Sequence, residues 1–321
     1  MTGPEAHLGH ERAPRWRKLL AGLGAIAVLL WALSSLYTQF GQTTIAELRH
    51  AFEWQTGGRL AASIALTFAS FGCLALYDLL AARVVARSRV PTHAALLAGF
   101  TGNALSNTLG FHAITGIVAR LRVYGRFGLQ AADVLRIVAL SWLALALGLA
   151  TMVALAELAT ASTRPGQSRA VLVGAAITVC LLGFAAWLWR RPRTVSMMGF
   201  RQPLPSAQLA MAQMLIGAVE SAASVGALYV LLPPDLAPPF VSFAVGCIAA
   251  VALGLLSHLP GGIGVFEATV TMMLGGAGRA DLWAALLLYR AVYNLLPFAL
   301  AVAALGGLSL MRPASVQFDA G

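Results

Sequence analysis

Lysine is almost missing from this chain: Lys18 stands alone against twenty-one arginines. Acidic residues number only twelve, and charged residues make up 11% of the sequence, where a soluble domain carries about a quarter. So little charge, beside 59% hydrophobic residues and a mean hydropathy of +0.79, excludes an ordinary soluble globule. Cysteine is scarce too. Cys73, Cys180 and Cys247 are odd in number and lie inside apolar runs, which excludes a disulfide framework and a cysteine metal site. No HExxH, CxxC, GxSxG or P-loop sequence occurs, so no catalytic residue, metal or cofactor is expected. The net charge of +10 does not read as nucleic-acid binding, because the arginines sit in short loops between apolar segments rather than on one soluble face. That distribution fits the positive-inside rule and anionic lipid headgroups.

What remains is a series of apolar runs. The sequence predicts an all-α, polytopic integral membrane protein of about 7–8 transmembrane helices, with one or two re-entrant or broken segments. Residues 1–18 form a polar cytoplasmic tail ending in Arg12, Arg15, Arg17 and Lys18, followed by an apolar run from Leu19 to Tyr37. That run is longer than the core of a signal peptide and lacks its cleavage site, so an uncleaved first helix is favoured. Further spans are read at 59–82, 133–158, 170–189, 206–232 and Pro239–His258, with a last apolar segment from Leu282 to Leu310. The linker RRPRTVSMMGFRQP is basic and PPDLAPP is not. No polar block is long enough to fold alone, so residues 19–310 form one membrane domain and 311–321 a short C-terminal tail. Whether 260–278 crosses is open, and with it the side of the C-terminus.

The most polar stretch between apolar segments is LSNTLGFHAITGIVARLRVYGRFG, Leu105 to Gly128. Polar, irregular backbone at membrane depth is tolerated only where protein buries it or water lines it. If Thr92–Ala113 crossed, the basic residues from Arg12 to Arg201 would divide nine inside and ten outside. If it dips in and returns, the division is fifteen to four, which the positive-inside rule prefers. A second break, PGGIGVFE, ends a helix at Pro260 and starts another near Gly264, with Gly261 and Gly262 between. The two breaks echo each other, and paired broken segments in the two halves of a chain point to a transporter site at a repeat interface.

Charge inside the membrane is costly and marks partners or cavities. Asp78, Glu220, Glu267 and Arg290 are the candidates, with Asn107, His112, Arg120, Arg122 and Tyr124 from the first break. An ion pair, Glu220–Arg290 or Glu267–Arg290, would lock helices together; alternatively these charges line the route of a polar headgroup. Arg122 and Arg126 lie four apart, sharing a helical face with forked donors suited to phosphate. The start of a helix near Gly264 could hold an anion, or Glu267 could cap it instead.

Four motifs, YDLLAARVV (77–85), SNTLGFHAITGIVARLRVYGRFGL (106–129), SHLPGGIGVFE (257–267) and LYRAVYNLLPF (288–298), resemble the membrane flippase half of bacterial lysyl-phosphatidylglycerol synthases, the multiple peptide resistance factor family, and its stand-alone relatives. The resemblance runs in matching order over residues 60–310. It implies a non-enzymatic protein that moves phospholipid or another polar lipid, anionic or aminoacylated, between leaflets of the bacterial cytoplasmic membrane. It also matches Asp78, Arg120, Arg122, Glu267 and Arg290 to family motif positions. The family often has two glycines before its arginine pair, where this chain has Gly116, Ile117 and Val118. Synthesis of an aminoacyl-lipid, the task of the soluble domain in the two-part members, is not expected of this chain, so the cargo is open, as is the oligomeric state. Two other readings are a headgroup transferase with His112 or Glu267 as base, and an accessory subunit of a lipid-synthesis enzyme.

Overall fold

The computed structural model describes residues 56–87, 89–110, 112–163, 168–189, 194–197, 200–256, 260–276 and 278–310, all within the unit Thr43–Gly321. The tail 1–18, the run Leu19–Tyr37 and the tail 311–321 lie outside the described residues. Helix α1 (Gly57–Val85) ends where Arg87 takes a φ of 51°, a left-handed conformation that side-chain-bearing residues seldom adopt. Arg83 holds this turn, donating to Arg87 O at 3.5 Å and Thr92 Oγ1 at 2.6 Å. Pro91 then presets the extended backbone from which α2 (Thr92–Leu109) starts.

Gly110 stops α2 with φ 69° and ψ −157°, a region open to glycine. The chain reverses there, and α3 (His112–Tyr124) runs back along α2, with Gly116 against Ser106 and Arg120 against Gly102. A 3-10 turn (Gly125–Phe127) and the left-handed Gly128 lead into α4 (Ala131–Thr163). Arg126 therefore falls outside α3, which corrects the expected common helical face with Arg122. After α5 (Ser168–Trp189), strands β1 (Thr194–Met197) and β2 (Phe200–Pro203) pair antiparallel, Val195 opposite Gln202. This small hairpin occupies the linker read as a plain basic loop. Thr194 and Val195 are β-branched and suit extended backbone.

Ser206 caps α6 (Ala207–Tyr229), accepting from Leu209 N at 3.3 Å. Next come α7 (Phe240–Leu256), a 3-10 turn (Pro260–Gly262) and α8 (Val265–Leu274). Helix α8 folds back on α7, placing Gly262 and Phe266 near Gly254, and Met273 near Gly246. The last helix runs through α9 (Ala280–Tyr289), a π turn (Arg290–Leu295) and α10 (Leu296–Leu310). Pro297 explains the π turn: it has no N–H to donate and its ring crowds the carbonyl of Tyr293, so the ladder widens just before it.

Among the described residues five helices are long and apolar enough to cross a membrane: α1, α4, α5, α6 and the continuous segment Ala280–Ser309. The protein is a polytopic membrane protein. The span expected at Pro239–His258 is corrected by α7, which has 17 residues and is one arm of a hairpin rather than a crossing. Gly262 and Gly264, at φ 62° and 88°, turn the chain back.

Contacts sort the helix ends into two groups. At the arginine-rich end, Arg83 joins the close of α1 to the start of α2, Arg126 donates to Leu308 O of α10, and Gln202 donates to Arg136 O at 3.3 Å. At the opposite end, Tyr229 Oη donates to Pro238 O at 2.9 Å, and Arg279 pairs with Asp235 at 2.8 Å. The hairpin α2–α3 thus enters from the arginine-rich end and α7–α8 from the other. Each lies between crossing helices, α1 and α4 in one half, α6 and α9–α10 in the other, an inverted arrangement of the kind that places transporter sites where repeats meet. Lipid provides no hydrophobic drive between helices, so close packing sets these contacts. At the α4–α6 crossing, a methyl on Gly217 would lie 2.5 Å from Tyr77 Oη.

Candidate functional site

The charged candidates separate into three buried centres. In the first, Arg120 grips Asp78 with Nε on Oδ1 at 2.7 Å and Nη2 on Oδ2 at 2.6 Å, while Nη1 donates to Gly116 O at 3.3 Å. Both side chains are buried, and Tyr124 Oη approaches Asp78 Oδ1 at 3.5 Å. Two glycines of α2 make the room. A Cβ on Gly102 would sit 2.5 Å from Arg120 Nη1, and one on Gly99 2.7 Å from Asp78 Cβ. The bidentate pair fastens the first hairpin to α1. With Nη1 on Gly116 O, all three guanidinium nitrogens of Arg120 are engaged within the protein. Arg122, two residues on, is exposed.

The second centre lies where the hairpin tips meet the π turn. Arg290 Nε donates to Glu267 Oε1 at 2.6 Å and Nη1 to Gly261 O at 2.6 Å, with the guanidinium 5.2 Å from the centre of the Phe266 ring. Glu267 Oε2 accepts from Gly264 N at 2.8 Å. Of the two ion pairs the sequence left open, Glu267–Arg290 forms and Glu220–Arg290 does not. Glu267 also caps its own helix, so both its oxygens are tied into the fold. From the first hairpin, Asn107 O accepts from Asn294 Nδ2 at 3.1 Å and Thr108 Oγ1 donates to Asn294 O at 3.0 Å. Gly261 sits between the two tips at φ 60°, where a Cβ would come 3.3 Å from Thr108 O. Arg290 Nη2 and Asn294 Oδ1 are buried and have no hydrogen-bond partner among the described residues. One side chain thus presents a free donor and its neighbour a free acceptor.

In the third centre, Glu220 accepts from Ser70 Oγ at 2.9 Å and from Ser221 Oγ at 3.4 Å. Ser70 Oγ also lies 2.8 Å from Tyr293 Oη. Pro260, Gly261 and Gly262 form the 3-10 turn at the second tip, and Gly264 precedes α8. His112 opens α3, and its side chain lies outside the described residues. Sequence reasoning passed over Ser70, Thr108, Tyr293 and Asn294. The available signal was RAVYNLLP, since polar side chains in the turn before an intramembrane proline flank a disrupted ladder.

Asp235 and Arg279 stand apart from these centres, at the opposite end. Hydrogen bonds from the Arg279 guanidinium hold the Asp235 carboxyl below its ordinary range, and those to Asp281 and Asp235 hold Arg279 in its charged form.

No protein-family model matches the chain. It is 29% identical over 303 residues to the inner membrane protein YbhN of Escherichia coli (strain K12), covering 90% of this chain and 92% of YbhN. It is 27% identical over 320 residues to the uncharacterized protein slr0712 of Synechocystis sp. (strain ATCC 27184 / PCC 6803 / Kazusa), covering 92% of this chain and 95% of the relative. The chain is a distant homologue of both over nearly their whole lengths.

Proposed function

We propose that the protein is a lipid flippase or transporter of a bacterial inner membrane, moving a phospholipid between leaflets with its acyl chains left in the bilayer. The observation that carries this reading is the free donor of Arg290 and the free acceptor of Asn294, buried where hairpins from opposite ends close on one π turn. A guanidinium edge suits phosphate oxygens, and an amide oxygen beside it suits a hydroxyl or ammonium on the same headgroup. The inverted hairpins support alternating access, because parting either tip opens the junction toward one side. The four motifs resembling the flippase half of lysyl-phosphatidylglycerol synthases support the same reading, and the match to an inner membrane protein supports the location. The positive-inside rule favours the arginine-rich end as cytoplasmic. Asp78 and Arg120 act in this reading as the fastening of the first hairpin, and Arg122 as a peripheral attractor of anionic headgroups.

The test is leaflet exchange in proteoliposomes with labelled phosphatidylglycerol, its lysyl ester and phosphatidylethanolamine. Wild type is expected to exceed empty vesicles for at least one of them. Arg290→Lys, which keeps charge and loses the fork, and Asn294→Ala are expected to slow that exchange about tenfold, the equivalent of one charge-assisted hydrogen bond. Folded wild type that exchanges none of these lipids overturns the reading and moves weight to an accessory role.

A further inference from the structure

Glu220 is the carboxylate of the three centres that lacks an opposite charge. It is 5% exposed, near the middle of α6, and appears in no ion pair among the described residues. The groups found around it are uncharged: Ser70, Cys73 and Tyr77 from α1, Ser221 on α6, Tyr289 from α9 and Tyr293 from the π turn. Asp78 and Glu267, by contrast, are each matched to an arginine. A carboxylate in apolar surroundings needs a cation, and where none is present a bound proton takes that part.

The surroundings also connect this group to the moving parts. Glu220, Ser70 and Tyr293 form a line of oxygens, 2.9 and 2.8 Å apart, that ends in the turn gripped by both hairpin tips. Each hydroxyl in the line donates and accepts, so the line can reverse its polarity as a proton arrives or leaves. Tyr293 directly precedes Asn294, whose amide and carbonyl hold the first hairpin. A displacement of the tips therefore reaches Ser70 through a single residue.

We propose that Glu220 is a proton-binding site coupled to the tip junction, holding its proton while both tips are closed and exchanging it with water on the side toward which a tip parts, so that a transmembrane proton gradient drives the cycle. In each turnover the carboxylic O–H breaks, its proton passes to water on one side, and a proton from the other side restores it. No redox step is involved. The proton site stands on the Glu220 geometry alone, while the drive rests on the transport reading given above.

The experiment has two arms. In lipid nanodiscs, infrared difference spectra between near-neutral buffer, in which ordinary carboxyls are already ionised, and alkaline buffer are expected to show the carbonyl band of a protonated carboxylic acid, retained in Asp235→Asn and absent from Glu220→Gln. In proteoliposomes, an imposed gradient of one pH unit is expected to shift the steady-state leaflet ratio of an exchanged lipid by up to about tenfold, for one proton per cycle. Glu220→Gln is expected to exchange lipid without that shift. A band missing from wild type, or unchanged in Glu220→Gln, overturns the proton site. A band with lipid exchange indifferent to the gradient overturns the coupling. A wild type that exchanges no lipid defeats the transport reading and with it the drive, while the infrared band still decides the proton site.

Discussion

Arg120 and Asp78 show what a single buried residue commits its partner to. Removing one member of a buried pair leaves the other charge without compensation, at about 3–5 kcal/mol. Asp78→Ala is thus expected to destabilise the protein by about that much, in thermal unfolding in nanodiscs, and Asp78→Leu with Arg120→Met to recover most of the loss. A double change that loses the sum of the two single changes would show that the pair contributes no coupling. Arg279 and Asp235 are the exposed counterpart. The Asp235 carboxyl titrates below its unfolded value, so what the contact contributes is present above that value, about pH 3.9, and is lost as pH falls through the lower folded value. The exchange protection of the Arg279 and Asp281 amides, taken relative to their intrinsic exchange at each pH, should therefore hold from neutral pH down to that range and fall only below it. At this scale the residue types were legible and the partners were not. Glu220 and Glu267 read alike in sequence, as lone carboxylates in apolar runs, yet one meets an arginine and the other two serines.

Elements are decided by the punctuation of the backbone. Gly110, Gly128, Gly262 and Gly264 all take positive φ, and each lies at a break the sequence marks by composition. Gly261 adds a demand of its own, because the space a Cβ would fill belongs to Thr108. Gly261→Ala is expected to push the tips apart and cost about 1–3 kcal/mol, with a spin-label pair across the tips reading a longer separation. An unchanged distance at unchanged stability would remove the close-approach argument. Pro297 makes the complementary case. Pro297→Ala allows the π turn to revert to regular helix, which rotates Arg290 relative to α10 by about one residue, roughly 100°. The expected outcome is equal or higher thermal stability, since a helix-breaking residue is lost, together with loss of lipid exchange. Stability and exchange both unchanged would mean the π turn does not depend on Pro297.

For the whole molecule the deciding feature is that the two hairpins enter from opposite ends. In a chain whose own cysteines are replaced, Arg89→Cys and Arg122→Cys are expected to react with an impermeant reagent from one side, and Gly58→Cys and Asp235→Cys from the other. Labelling of Arg122→Cys together with Asp235→Cys would exclude the arrangement. Charge counting already favoured a re-entrant first break, because arginines cluster after it. The second hairpin carries no such charge bias, so its apolar arm Phe240–Leu256 read as a span. The sequence by itself determined the solvent, through its shortage of charge, and the breaks, through glycine and proline, because both are local properties of residue type. Only the tertiary structure decided which carboxylate meets which arginine, that α7 turns back, and that both tips close on Asn294 and Arg290. Those outcomes depend on distant segments sharing one interior, where each buried donor must find an acceptor that no local pattern names.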